Sequence, residues 1–111
     1  MGKFSRDKGA RGERELAAKL REAGVADAYR SRQYCGSAVS ADILGIPKVH
    51  AEVKRCEHLS LYKAYEQAKQ DSGDSGDMPT VFHRRSGKSW LVVLALEDWM
   101  QLYEKYINRD N

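Results

Sequence analysis

The stretch Val49-His50-Ala51-Glu52-Val53-Lys54 constrains the fold of this 111-residue chain more than any other. In an extended chain, side chains at i and i+2 share a face. Val49, Ala51 and Val53 therefore cover one side, while His50, Glu52 and Lys54 emerge on the other. The apolar side must lie on a core. The opposite side sets an acid and a lysine beside apolar runs, a placement that is rare unless the charges are paired or bound to a metal. Upstream, Ser40-Ala41-Asp42-Ile43-Leu44-Gly45 reads as a neighbouring strand, and Gly45-Ile46-Pro47 turns it back, a hairpin by length. Asp42 is thereby a second carboxylate beside Glu52.

The remaining elements follow from periodicity. Residues 1–8 are polar and basic and read as a flexible tail. After Gly9-Ala10 a helical pattern runs to Ala23, with Gly24 as its stop. Its apolar face is Leu16, Ala17 and Leu20. At about 100° per residue Glu13 projects into the centre of that face, whereas Glu15 falls almost opposite. An inward acid there is either a dipole-stabilised group at the core rim or part of a site. Ala26–Arg32 reads as a strand. Gln33–Ser40 reads as a loop whose Gly36-Ser37 either admits a substrate backbone or is an ordinary connector.

Ser60–Gln70 carries Leu61, Ala64, Tyr65 and Ala68 at helical spacing, with Lys63, Gln67 and Gln70 on the other face, either reaching a phosphate backbone or simply solvated. The acids of Asp71–Asp77 recur every third residue, which is not the alternate spacing of an EF-hand loop, so the segment reads as a flexible turn. Thr80–Arg84 and Ser89–Leu94 form a second hairpin about Ser86-Gly87. The last helix, Glu97–Tyr106, has an aromatic stripe of Trp99, Leu102, Tyr103 and Tyr106, read as core or subunit interface. The whole is an α/β chain folding as a single domain over 1–111, with a central mixed sheet of about five strands flanked by helices.

Charge adds direction. Lys and Arg exceed Asp and Glu by 19 to 16, a net charge of +3. The bases cluster at Lys3–Arg14, Arg30–Arg32, Lys54-Arg55 and His83-Arg84-Arg85, which implies a polyanion-facing side. Two cysteines, Cys35 and Cys56, are too few for a secreted disulfide framework, and zinc binding by Cys35, Cys56, His50 and His58 lacks paired spacing. His50 shares the face of Glu52 and Lys54, where it either lines the site or, the favoured reading, is satisfied by a neighbour. No apolar signal core, myristoylation motif or membrane span is found, so the expectation is a soluble, cytoplasmic protein.

Hard divalent cations take carboxylate oxygens, and Mg²⁺ typically takes only one or two of them plus waters and phosphates. Asp42 and Glu52 suit that role. Lys54 beside them is placed to orient an attacking water or to stabilise charge on a reacting phosphate, and Glu13 would extend the ligand shell. These residues, with Gly9-Ala10-Arg11-Gly12-Glu13-Arg14-Glu15-Leu16 upstream, resemble the PD-(D/E)xK nuclease superfamily. Closer still, the pattern is similar to the archaeal-type Holliday junction resolvases and their small phage-encoded relatives.

The resemblance implies a restriction-endonuclease-like core with Glu13, Asp42, Glu52 and Lys54 as the catalytic set. It also implies Mg²⁺, for which Mn²⁺ may substitute, held by Asp42, Glu52, Glu13 and the carbonyl of Val53. Arg14 and Ser37 carry over as substrate contacts. Ser31 and Ser40 compete with Ser37, which is favoured for its Gly36 neighbour. Ala41 stands where the superfamily name has proline, a position that supplies no ligand. Further DNA contacts are expected at Lys8, Arg11, Arg30, Arg32, Arg55, Lys63 and Gln67. The family forms two-fold dimers on branched DNA. The alternatives are a nuclease of the same fold with another substrate, such as nicking, end-processing or restriction-like cleavage, and a catalytically silent DNA-binding recombination module.

Overall fold

A computed structural model describes the backbone of residues 3–31 and 41–109, and the side chains of residues 9–31 and 41–109. The chain runs α1 (Lys3–Glu22), β1 (Tyr29–Arg30), β2 (Ile43–Leu44), β3 (Val49–Arg55), α2 (Leu61–Ser72), β4 (Met78–Arg84), β5 (Leu91–Val93) and α3 (Leu96–Asn108). The five strands lie in chain order in one mixed sheet. β1, β2 and β3 pair antiparallel, with Tyr29 opposite Leu44 and Ile43 opposite Ala51. β3 and β4 pair parallel from Val49–Met78 to Arg55–Arg84, and α2 supplies the crossover that parallel neighbours need. β5 returns antiparallel, with Val81 opposite Val93.

The turn between β2 and β3 depends on glycine. Gly45 has φ +82°, and a Cβ there would lie 1.8 Å from the carbonyl oxygen of Asp27. Any side chain would push the hairpin off the segment that leads into β1.

The alternation of β3 sorts its residues onto two helices. Ala51 and Val53 join Leu16 and Ala17 of α1, Ala28, Ile43 and Phe82 in one buried cluster, with Leu20, Val49 and Trp90 packed against it. The sheet's opposite face meets α2, where Ala64, Ala68 and Val81 form a second, smaller cluster. β3 is thus covered on both faces, as an inner strand of a mixed sheet requires. His50 and Glu52 are buried with it. Among the described residues no helix is long and apolar enough to cross a membrane.

Three expectations change, and for α3 one of two alternatives falls. α1 begins at Lys3 rather than after Ala10, so residues 3–8 are helical instead of a flexible tail. Lys, Arg and Ser tolerate helix well, but a polar segment carries no apolar period to announce it. Of the expected strand Ala26–Arg32, only Tyr29–Arg30 forms β1 among the described residues, and Arg32 lies outside them. α2 continues to Ser72, taking Asp71 out of the supposed turn, and ends where Gly73 at φ +52° returns its N–H to the carbonyl of Gln70. Finally, α3 buries no residue: Trp99, Leu102, Tyr103 and Tyr106 are 43–63% exposed. The stripe is real, and Trp99 stacks on Tyr103 with centroids 5.0 Å apart. It follows the edge strand, however, and among the described residues no further layer covers it.

Candidate functional site

The site forms on the α2 side of β3. His50 and Glu52, two residues apart on that strand, are 7% and 6% exposed at their side chains, and His50 Nε2 lies 2.9 Å from Glu52 Oε1. Pairing Ile43 with Ala51 puts Asp42 beside Glu52 on the hairpin. Asp42 is fixed by its own backbone, whose N–H donates to the Ala51 carbonyl at 2.8 Å, and by its side chain, whose Oδ2 accepts the N–H of Val53 at 2.8 Å. Burial, the charge of Asp42, a hydrogen bond shared with Asp42 and the charge of Asp71 together push the Glu52 carboxyl up to about 8, against the pull of Lys54. Two acids so close hold a proton between them or need a cation in its place.

Asp71 arrives from the last turn of α2. One ligand-capable atom each from His50, Glu52 and Asp71 lies within 4.8 Å of the others. Two carboxylates and an imidazole, converging from β3 and α2, form a donor set that could hold a divalent cation, with Asp42 next to Glu52 on the hairpin.

Glu13 approaches from the opposite helix. Arg30 Nε donates to its Oε1 at 2.7 Å, with the two side chains 37% and 19% exposed respectively. Burial raises the Glu13 carboxyl, the hydrogen bond from Arg30 opposes that, and the negative charge of Asp42 raises it further. Glu13 therefore senses the site electrostatically while its hydrogen bond goes to Arg30. Lys54 is half-buried, with Nζ 3.5 Å from Gln67 Oε1, at the outer limit of a hydrogen bond.

The expected DNA contacts divide. Arg11 and Arg14 are exposed on α1, and Lys63 is exposed on α2. Arg30 is committed to Glu13, and Gln67 is turned toward Lys54. Arg55 sits over Gly12, where a Cβ would come within 2.8 Å of its own, and its Nη1 lies 3.4 Å from Ser86 Oγ. Arg32, Ser37, Ser40, Cys35 and the side chain of Lys8 lie outside the described residues. Ser31 is buried, and its N–H donates to the Asp42 carbonyl at 2.9 Å. Cys56 is a half-buried free thiol and His58 is exposed; neither joins a metal-ligating group among the described residues.

Glu15, projected away from the core, still finds partners: Arg84, and Trp90 Nε1 at 2.9 Å. Burial raises its carboxyl, but these two hydrogen bonds outweigh it and hold the group below the usual range.

Sequence reasoning missed Asp71, and for His50 it favoured satisfaction by a neighbour over a place lining the site, where the structure shows that neighbour to be Glu52 itself. Ala64, Ala68 and Asp71 fall at i, i+4 and i+7 of one helix face, a signal that would have found Asp71 had α2 been carried one turn further. Comparison of the chain with protein-family profiles, curated proteins and solved structures found no match.

Proposed function

We propose that this chain is a Mg²⁺-dependent endonuclease that hydrolyses DNA phosphodiester bonds, with branched DNA such as four-way junctions as its substrate. One observation carries the reading: Glu52 gathers His50 and Asp71 within ligand distance and feels the charges of Asp42 and Lys54, while Glu13, on a separate helix, is in electrostatic reach of Asp42. The resemblance of Glu13, Asp42 and Glu52-Val53-Lys54 to the PD-(D/E)xK pattern points the same way. Asp42 and Glu52 would hold the cation, with Asp71 as a further donor, and the bound ion would supply Lewis-acid stabilisation of charge on the phosphate.

The protein's own groups do the rest. Lys54 orients the attacking water and faces the charge that develops on the scissile phosphate. His50 fixes the orientation of the Glu52 carboxylate, as outer partners of ligands commonly do. Arg30 neutralises Glu13 next to a polyanionic substrate. Backbone contacts come from the exposed bases of α1 and from Arg55.

A two-fold pair of copies suits paired incisions on a symmetric junction. The apolar face of β5 and α3 supports such a dimer. Val92, Leu96, Trp99, Met100, Leu102, Tyr103, Tyr106 and Ile107 are 43–69% exposed. At roughly 100 Å² apiece they offer about the 800 Å² per partner of a standard interface. Sedimentation equilibrium should return twice the chain mass; a monomer at micromolar concentration removes the dimer.

The direct test compares cleavage of a four-way junction, a flap, a linear duplex and a single strand in Mg²⁺. Symmetric nicks confined to the junction are expected, whereas cleavage of another substrate alone would replace the junction reading with that of a nuclease of different specificity. Asp42→Ala and Glu52→Ala should each abolish cleavage and leave binding largely intact. Persistent cleavage in either variant, or full activity in EDTA, would refute the site.

A further inference from the structure

The β4–β5 hairpin displays cations that the site above does not use. Lys54 lies opposite His83, and His83 opposite Leu91, so the three form one row across three strands on the α2 side of the sheet. His83 is held there by a 2.9 Å hydrogen bond between its Nε2 and the carbonyl of Cys56. Beyond it opens a cleft of about 450 Å³ lined by His83, Arg85, Lys88, Ser89 and Leu91, with no acid among them.

Arg85 and Lys88 are exposed, and among the described residues no carboxylate pairs with either side chain. Of the acids near this turn, Glu15 is hydrogen-bonded by Arg84 and Trp90, and Glu57 accepts the N–H of Ser86 at 2.9 Å, so that its charge stays at the turn. The turn that carries the cations is well held. Lys88 N–H donates to the Arg85 carbonyl at 3.1 Å, and Arg84 Nε donates to the Lys88 carbonyl at 2.6 Å. Arg55, on the α1 face of β3 over Gly12, reaches the same turn at Ser86 from the other side of the sheet. Neighbouring strands are about 4.8 Å apart, so the cleft lies within a nucleotide's reach of Lys54.

We propose that this cleft is a second phosphate-contact site, in which Arg85 and Lys88, flanked by His83, take the DNA backbone next to the phosphate that lies at Lys54. The assignment rests on the nuclease reading for its ligand. It makes a separate claim about where the strand runs: across the open end of β4 toward β5 rather than only over α1.

The test is equilibrium binding of a labelled four-way junction and a linear duplex to the full chain in Ca²⁺, read by fluorescence anisotropy over a salt series. Arg85→Gln/Lys88→Gln should lower the slope of log K against log salt by about 1 to 2 and weaken binding roughly tenfold, alike for different sequences. Lys105→Gln/Arg109→Gln, which removes the same charge from α3, should leave the slope unchanged. Lys88→Gln alone, expected to lower the slope by about 1, serves if the double variant unfolds. An unchanged slope in the hairpin variants, or an equal drop in the α3 control, would overturn the proposal. If the wild-type chain binds and cleaves DNA with the hairpin variant's slope intact, only this site fails. If the wild-type chain does not bind DNA, the nuclease reading fails with it.

Discussion

Glu52→Gln isolates the electrostatic tension at the centre of the site. The substitution keeps the shape of a side chain that is 5% exposed and removes its charge. In the folded chain the Glu52 carboxyl is pushed from 4.5 up to about 8, by burial first and then by Asp42 and Asp71. The folded state therefore holds this proton more tightly than the unfolded state. Its contribution to stability is fully present below about pH 4.5 and is lost as pH rises through 8. At about 1.4 kcal/mol per tenfold change in proton affinity the loss is at most roughly 5 kcal/mol, and sharing of the proton with Asp42 and local relaxation reduce it to about 2–4.

Urea unfolding monitored by tryptophan fluorescence at intervals from pH 5 to 9, in EDTA, reads this directly. The wild type should lose stability across that range, and Glu52→Gln should lose far less and be the more stable of the two at pH 9. Mn²⁺ or Mg²⁺ at millimolar concentration should restore the wild type at pH 8, because a cation replaces the shared proton, and should leave the variant unmoved. A wild-type-minus-variant difference that is flat with pH, or a wild type indifferent to both cations, would refute the account of coupled carboxylates awaiting a cation.

Two further predictions test the frame around the site. Gly45→Ala forces a Cβ to within 1.8 Å of the Asp27 carbonyl oxygen at a φ of +82°, and should cost about 3 kcal/mol or more in chemical denaturation. A loss below about 1 kcal/mol would mean that the β2–β3 turn can move away. Arg30→Ala strands the half-buried Glu13 carboxylate and should cost roughly 1–3 kcal/mol. Adding Glu13→Gln should recover most of that loss, and a double variant no better than Arg30→Ala would deny the pair its role.

Much of the site's inner layout was legible because it depends on periods short enough to read along the chain. The two-residue period of β3 separated His50, Glu52 and Lys54 from Ala51 and Val53, and the hairpin set Asp42 against Glu52. Helical projection turned Glu13 toward the sheet. The same method failed at Asp71, because a helix end rich in Asp, Ser and Gly looks like a turn until its cap is seen. For α3 it left core and subunit interface open, since an amphipathic stripe states that a face is apolar without stating what covers it, and within the single chain the face is exposed.

By itself, then, the sequence determined which face of each element each residue occupies, for that follows from backbone geometry within a few residues. Only the tertiary structure decided partners. Arg30 reaches Glu13 across 17 positions and Arg84 reaches Glu15 across 69, and both become neighbours only once α1 lies on the sheet. Asp71 meets His50 and Glu52 because the crossover from β3 through α2 to β4 returns the end of that helix to the start of the strand it left. The central carboxylates of Asp42 and Glu52 could be read from one hairpin; the residues that pair with them, surround them and tune them are brought in by the packing of separate elements.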